Sequence, residues 1–307
     1  MSKIDEIQEE INQVIKGKED VVRKVIAAML AEGHILLEDI PGVGKTTLAM
    51  TLAKSMSMDY KRTQFTPDVL PSDILGFSMY NNQTKDFEYK PGSIFCNLFL
   101  ADEINRTSPK TQSALLEVME EGNVTVDGVT RELPTPFTVI ATENPIGSAG
   151  TQLLPESQLD RFMVCLSMGY PSHDSAVEIL KGNASKPVSH VKPVITRDEF
   201  AQLQVQVNEM FVHDMIYGYI TTLVEKTRES EFISLGASPR GSIALLRMSK
   251  AIGFMAGRDF VSPEDVEAVF VDTLGHRVKL STRAKAAGLD VPAVLMKVFN
   301  SVEAPRT

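Results

Sequence analysis

Tryptophan is absent from the chain, and cysteine occurs only twice, as Cys96 and Cys165. The missing tryptophan excludes nothing. Two distant cysteines in apolar surroundings exclude a disulfide framework and a thiolate metal cluster, and they fit buried thiols in a reducing compartment. Positive charge is also short: 31 Lys and Arg against 40 Asp and Glu leave a formal charge of -9. Such a balance speaks against general affinity for nucleic acid, which rests on neutralising phosphates with Lys and Arg, although a local basic patch is left open. No apolar run approaches the roughly 18 residues needed to span a bilayer. The opening Met1-Ser2-Lys3-Ile4-Asp5-Glu6 lacks the basic-then-apolar order of a signal peptide. The expectation is a cytoplasmic protein with no membrane insertion. There is no internal repeat and no low-complexity segment.

What is present is an ordinary globular composition, 307 residues of which 43% are hydrophobic and 23% charged, enough for one large core or two modest ones. The pattern changes near Gly182–Pro193. Before it, short apolar runs alternate with amphipathic helical stretches; after it, nearly everything reads as amphipathic helix. This predicts an α/β domain over residues 1–185 and a small all-helical domain over 186–307. Ile4, Ile7, Ile11, Val14 and Ile15 recur at helical spacing, and Val21, Val22, Val25, Ile26, Met29 and Leu30 repeat the pattern after Gly17. Candidate strands follow at Ile35–Leu37, Tyr60–Gln64, Leu98–Ala101, Thr138–Ala141 and Met163–Leu166. Helical crossovers between most of them describe a five-stranded parallel sheet covered on both faces. Two hairpins are inserted. One turns at Asp127-Gly128, a dipeptide suited to a type I′ turn, and the other spans roughly Phe77–Tyr89. Ser238-Pro239, Ser262-Pro263-Glu264-Asp265 and Asp290-Val291-Pro292 mark helix starts.

The segment Ile35 to Leu48 runs from an apolar strand through Asp39-Ile40-Pro41-Gly42-Val43-Gly44-Lys45-Thr46-Thr47 into a helix, the context a phosphate-binding P-loop requires. Backbone N–H groups of Gly42 to Thr46 can wrap phosphates, and the helix N-terminus adds the positive end of its dipole. Lys45 would reach the β- and γ-phosphates of ATP, and the Thr46 hydroxyl would ligate Mg²⁺. The motif's first glycine is replaced by Asp39, which bears on the geometry of the loop more than on hydrolysis. About sixty residues on, Leu98-Phe99-Leu100-Ala101 ends in Asp102-Glu103. Carboxyl ends of parallel strands share one edge, so Asp102 would meet the metal held by Thr46, and Glu103 would orient the attacking water.

These residues resemble AAA+ ATPases, and in their wording the MoxR family. The resemblance is carried in order by Pro41-Gly42-Val43-Gly44-Lys45-Thr46, Leu100-Ala101-Asp102-Glu103-Ile104-Asn105-Arg106, Ala141-Thr142-Glu143-Asn144-Pro145, Leu154-Pro155-Glu156 with Leu159-Asp160-Arg161-Phe162, and Gly236-Ala237-Ser238-Pro239-Arg240. It implies an AAA+ core followed by a helical lid, with ATP and ADP as ligands and Mg²⁺ as cofactor. Asn144 matches the sensor 1 position, although alone an Asn before Pro reads as a turn former. Arg161 matches the arginine finger that completes a neighbouring subunit's site, whereas alone it reads as a surface partner of Asp160 or Glu156. Arg240 matches sensor 2, at the start of a lid helix, where with Lys45 it would let bound nucleotide bias core against lid. Gly17 lies in a segment resembling the one beside adenine, and a plain helix–helix turn reads equally well.

The resemblance further implies a homo-oligomeric ring, hexameric in this family, and a chaperone-like role. That role is remodelling or maturation of client proteins, including cofactor insertion, often beside a protein with a von Willebrand A domain. The two hairpins correspond to insertions of the MoxR branch and offer client contacts, or are merely decorative. A nucleic-acid motor or loader is the rival reading; it expects basic pore residues or a DNA-binding module, against the acidic balance found. A nucleotide-gated scaffold with little turnover is the other rival, opposed by the presence of Lys45, Asp102, Glu103, Asn144 and Arg161.

Overall fold

Apolar runs alternating with amphipathic stretches become alternating strands and helices, because each buries its apolar face on the next. The computed structural model describes residues 2–40, 42–144, 154–180 and 187–305. In order come α1 (Lys3–Asn12), α2 (Glu19–Leu30), β1 (Ile35–Glu38), α3 (Lys45–Ser55), β2 (Tyr60–Gln64), α4 (Pro71–Leu75), β3 (Gly76–Asn81) and β4 (Asp86–Pro91). They are followed by β5 (Leu98–Asp102), α5 (Pro109–Glu121), β6 (Asn123–Val126), β7 (Val129–Glu132), β8 (Thr138–Glu143), α6 (Glu156–Leu159), β9 (Val164–Leu166) and α7 (His173–Leu180). The remainder is α8 (Arg197–Asn208), α9 (Asp214–Glu229), β10 (Ile233–Leu235), α10 (Pro239–Met255), α11 (Pro263–Leu274), β11 (Lys279–Leu280), α12 (Thr282–Ala286) and α13 (Val291–Asn300). They pack as two compact units: Met1–Arg23, His34–Leu154 and Ser167–Ala201 form the first, and Lys24–Gly33, Pro155–Leu166 and Gln202–Thr307 the second.

The main sheet has the order β2-β5-β8-β1-β9, as an α/β fold with a five-stranded parallel sheet should. Every residue of β5 and β8 is buried, which is why residues 98–101 and 139–141 read as apolar runs and not as an alternation. Register decides where polar side chains gather. Gln64 pairs with Asp102, Ala101 with Ala141 and Glu38 with Glu143, all parallel, so polar residues collect where these strands end. The inserted hairpins are also formed, β3 with β4 and β6 with β7, the latter turning at Asp127 and Gly128 with φ of 53° and 75°. Positive φ at both central residues is the type I′ geometry that matches the twist of the flanking strands.

In the second unit, the phenyl rings of Phe270 and Phe299 meet at 5.2 Å and Tyr219 lies 6.2 Å from Phe299, joining α9, α11 and α13. Burial of each such ring contributes about 1.5–3 kcal/mol. Helix starts follow the local signals: Asp290 accepts from Ala293 N at 2.9 Å, and Asp265 accepts from Ser262 N at 2.8 Å. The sequence pattern predicts only helices here, yet β10 and β11 form a small antiparallel pair. Strands of two or three residues are too short to show a period, and their pairing partner lies more than forty residues away. Residues Lys24–Gly33 also belong to this unit, with Gln204 Nε2 donating to Met29 O at 2.8 Å. No described helix is long and apolar enough to cross a membrane.

Candidate active site

Glycine opens the site. Gly42 and Gly44 take φ of 86° and 98°, left-handed values that a side chain would strain, and Gly44 then caps α3. Lys45 is the first residue of that helix and is buried, with Nζ donating to the carbonyl of Asp39 at 2.8 Å. Burial pulls the Lys45 ammonium below its ordinary pKa, while the carboxylates of Asp39, Asp102, Glu103 and Glu143 act to raise it. Pro41, named with the P-loop, lies outside the described residues.

Around Lys45 the strand ends assemble a cleft of about 380 Å³, bordered by Gly42, Gly44, Thr46, Thr47, Asp102, Glu103 and Asn144. The register of β2, β5 and β8 brings in side chains that the sequence does not mark as a group. One Asp102 oxygen accepts from Thr142 Oγ1 at 2.7 Å, and the other accepts from Arg62 Nε and Nη2 at 3.1 and 2.6 Å. Glu103 lies at the turn after β5 with φ of 58°, a left-handed conformation uncommon for a side-chain-bearing residue. Its backbone N–H donates to Thr142 Oγ1 at 2.8 Å, so a single buried threonine ties the Asp102 carboxylate to the backbone of Glu103.

The Glu103 carboxylate is oriented on both oxygens. Oε1 accepts from Asn144 Nδ2 at 2.7 Å, and Oε2 accepts from Gln64 Nε2 at 2.8 Å and pairs with Arg106 at 3.0 Å. Asn105 Nδ2 in turn donates to the Asn144 carbonyl at 3.2 Å. Three of the sequence candidates, Asp102, Glu103 and Asn144, therefore share one hydrogen-bonded system with Thr142 and Gln64. Sequence reasoning does not single out Arg62, Gln64, Thr142 or Arg106 as site residues. Thr142 and Arg106 lie within motifs that carry the resemblance but without a role of their own there, and the sign of Arg62 and Gln64 is only that β2 ends in polar residues beside a strand ending Asp-Glu.

Glu143, next to Asn144, is buried, and desolvation together with the nearby Glu38 pushes its carboxyl up to about 7 against the opposing pull of Lys45. A second hollow of about 210 Å³ adjoins the same loop, walled by Val14, Ile15, Lys16 and Lys18 on one side and Met168, Gly169 and Pro171 on the other. Val43 and Thr47 also face it, while Gly17, at φ of 69°, supplies the turn after α1.

Arg161 and Arg240 belong to the second unit, where a different cluster ties their segments together. Asp160 accepts from Ser238 Oγ at 2.8 Å and from Arg277 Nε at 2.9 Å, and its carbonyl accepts from Arg277 Nη2 at 3.1 Å. Arg277 also donates to the carbonyls of Phe162 and Met163, at 2.6 and 3.1 Å. Burial brings its guanidinium down to about 10, with Asp160 opposing the shift. Ser238 is the N-cap of α10, on which Arg240 lies.

Residues 34–164 match the family described as ATPase family associated with various cellular activities (AAA), and residues 225–297 match the AAA lid domain. The chain is 50% identical over 298 residues to YeaC of Bacillus subtilis (strain 168), covering 97% of this chain and 93% of that protein. It is 36% identical over 306 residues to Chaperone MoxR1 of Mycobacterium tuberculosis, covering 97% of this chain and 81% of the relative. Among solved structures, a protein of Cytophaga hutchinsonii classed as an ATPase matches with a TM-score of 0.90 at 37% identity, over 99% of this chain and 95% of that one.

Proposed function

The chain belongs to the MoxR family of AAA+ ATPases, and from that premise we propose that it hydrolyses ATP with the help of magnesium and uses the cycle to remodel a partner protein. The observation that carries this reading is the convergence of Lys45, Thr46, Asp102, Glu103 and Asn144 on one cleft. Lys45 faces that cleft as a buried ammonium hydrogen-bonded to a neutral carbonyl, so its charge is available to a phosphate chain. Glu103, held by Asn144 and Gln64, presents a fixed carboxylate to a water molecule, and orienting that water is most of what phosphoryl transfer asks of the protein.

The donor set suits magnesium. One hydroxyl and one carboxylate, Thr46 and Asp102, are few ligands, and a hard cation that keeps waters and takes oxygens from phosphates needs few. No group of three or more His, Cys, Asp or Glu suited to a metal occurs among the described residues, so a dedicated protein cage is not what the site offers. Magnesium, when bound, would neutralise charge on the phosphates. Arg62, now paired with Asp102, would share that carboxylate or exchange it.

In this proposal Arg161 serves as the finger of a neighbouring subunit's site and Arg240 as the nucleotide sensor, in a ring that the family implies to be hexameric. The likeness to Chaperone MoxR1 supports a protein client, and residues 186–307 act as lid. The β3–β4 hairpin is a natural client contact, since Phe77, Tyr80 and Phe87 on it are all exposed. In this proposal the remodelling includes cofactor insertion into the client, beside a protein with a von Willebrand A domain as the resemblance implies. The acidic charge and the similarity to a chaperone weigh against a nucleic-acid motor.

Lys45→Ala should lose most affinity for ATP in a calorimetric titration, and unchanged affinity would overturn the nucleotide site. Glu103→Gln should keep ATP and lose phosphate release. The same variant, arrested with ATP bound, should retain its client in a pull-down, where recovery of a defined protein complex would establish the remodelling role.

A further inference from the structure

Asp39 occupies the position where a P-loop ordinarily opens with glycine, yet the backbone there does not require one. Its φ lies outside the left-handed region that Gly42 and Gly44 adopt. The side chain is 5% exposed and accepts three hydrogen bonds: from Ser167 Oγ at 2.9 Å, from Gly169 N at 3.0 Å, and from Met168 N. These donors lie 128 to 130 positions further along the chain. Hydrogen bonds to an ionised carboxylate are the strong kind, and a buried carboxylate without them would be costly. The main chain of Asp39 is engaged separately, its carbonyl with Lys45 and its N–H with Glu143 O at 3.2 Å.

The segment that Asp39 holds is a wall. Met168, Gly169 and Pro171 face Val14 and Ile15 across the hollow of about 210 Å³ beside the phosphate loop, and Met168 Cε comes within 3.8 Å of where a Cβ on Gly44 would stand. Lys18, on the opposite wall, reaches the carbonyl of Tyr170 at 2.7 Å. The hollow has apolar residues on both sides, Val14 and Ile15 facing Met168 and Pro171, and opens onto the loop that would carry the phosphates, the arrangement a flat heterocyclic base needs.

We propose that Asp39 is a positioning residue for the base of the nucleotide: its carboxylate fixes Ser167–Gly169 and so sets the width of the base pocket. Its main chain, separately, seats Lys45. The proposal rests on the reading of the P-loop as a nucleotide site. It predicts a split between base and phosphate recognition, because substitution of the side chain removes the wall's anchor and spares both main-chain bonds.

The test is calorimetric titration of the full chain with ADP and with inorganic tripolyphosphate, which has no base. Relative to tripolyphosphate, ADP binding should weaken by about tenfold or more in Asp39→Ala, the scale of losing charge-assisted hydrogen bonds, while tripolyphosphate binding should hold or tighten, because the same change removes a carboxylate whose charge acts on Lys45. Asp39→Asn, whose amide oxygen still accepts from the backbone N–H groups, should fall between Asp39→Ala and the parent chain. It also carries the test alone if the alanine variant fails to fold. Equal loss for both ligands would assign Asp39 to the phosphate loop, and no loss for ADP would remove it from the site; either result overturns the proposal. Lys45→Ala must lose both ligands. If it keeps them, the nucleotide site itself is wrong, whatever Asp39 does.

Discussion

In the cleft of the first unit Lys45, Thr46, Asp102, Glu103 and Asn144 border about 380 Å³ of open volume, whereas in the second unit Asp160, Arg277 and Ser238 close on one another. Both clusters combine acids, a buried cation and hydroxyls. They differ in what is left over. Arg277 spends its donors on Asp160 and three neighbouring carbonyls, of Phe162, Met163 and Thr273, and none is aimed at a ligand. Lys45 donates to a neutral carbonyl, and Asp102 and Glu103, which favour its charged form, border an open cleft with it. A cluster closed on itself holds structure in place, and charged groups arranged around an open cleft make a place for a charged ligand.

If that contrast is right, the two clusters should fail differently. The largest effect is expected at Arg161, next to the closed cluster but proposed to act in another subunit's site. Arg161→Ala should reduce turnover by about 10³-fold or more while ATP binding in titration stays near normal. Mixing that variant with Lys45→Ala protein should recover part of the activity, because some interfaces then pair an intact P-loop with an intact finger. A normal rate in Arg161→Ala, together with turnover independent of protein concentration, would show that a single subunit is complete.

Next comes Arg277, where loss should appear as stability. Arg277→Met removes the buried guanidinium that pairs with the half-buried Asp160, and losing that pair should cost about 2–3 kcal/mol, below the range for a fully buried pair, read as a lower midpoint in chemical denaturation. A variant that kept its midpoint but lost ATP affinity would put Arg277 in the ligand site and erase the distinction between the two clusters.

Asn144→Ala should do the reverse, leaving the denaturation midpoint within about 1 kcal/mol and lowering phosphate release by about 10²-fold, the scale of removing one oriented donor. Equal effects on stability and turnover would make Asn144 a structural residue.

The smallest effect concerns Glu143, whose carboxyl is raised to about 7 in the folded protein from an ordinary 4.5. A raised acid binds its proton more tightly folded than unfolded, so the folded state is favoured below pH 4.5 and loses that advantage as pH climbs through 7. Glu143→Gln, which stays neutral, should flatten this dependence and gain on the order of 2 kcal/mol relative to the parent at pH 8 over pH 5. Denaturation midpoints at the two pH values measure it, and parallel curves for the two proteins would show that Glu143 does not titrate in that window.

Much of this molecule is legible as local chemistry. The strand Tyr60–Gln64, the turn at Asp127-Gly128, the cap at Asp290 and the strand–loop–helix around Gly44-Lys45 each depend on residues a few positions apart, and each is where its pattern places it. The pairs that complete the clusters are a different matter. Gln64 meets Glu103 and Arg62 meets Asp102 across a parallel register, at separations of 39 and 40 residues, and no period in the chain announces such a partner. Asp39 shows the division most clearly. Its identity says only that a motif glycine is missing; that its carboxylate anchors Ser167–Gly169 comes from two distant segments being brought together by the packed sheet. Propensity, capping and turn chemistry act over neighbours in sequence and so are written there, while register and packing act between neighbours in space and are decided only when the chain has folded.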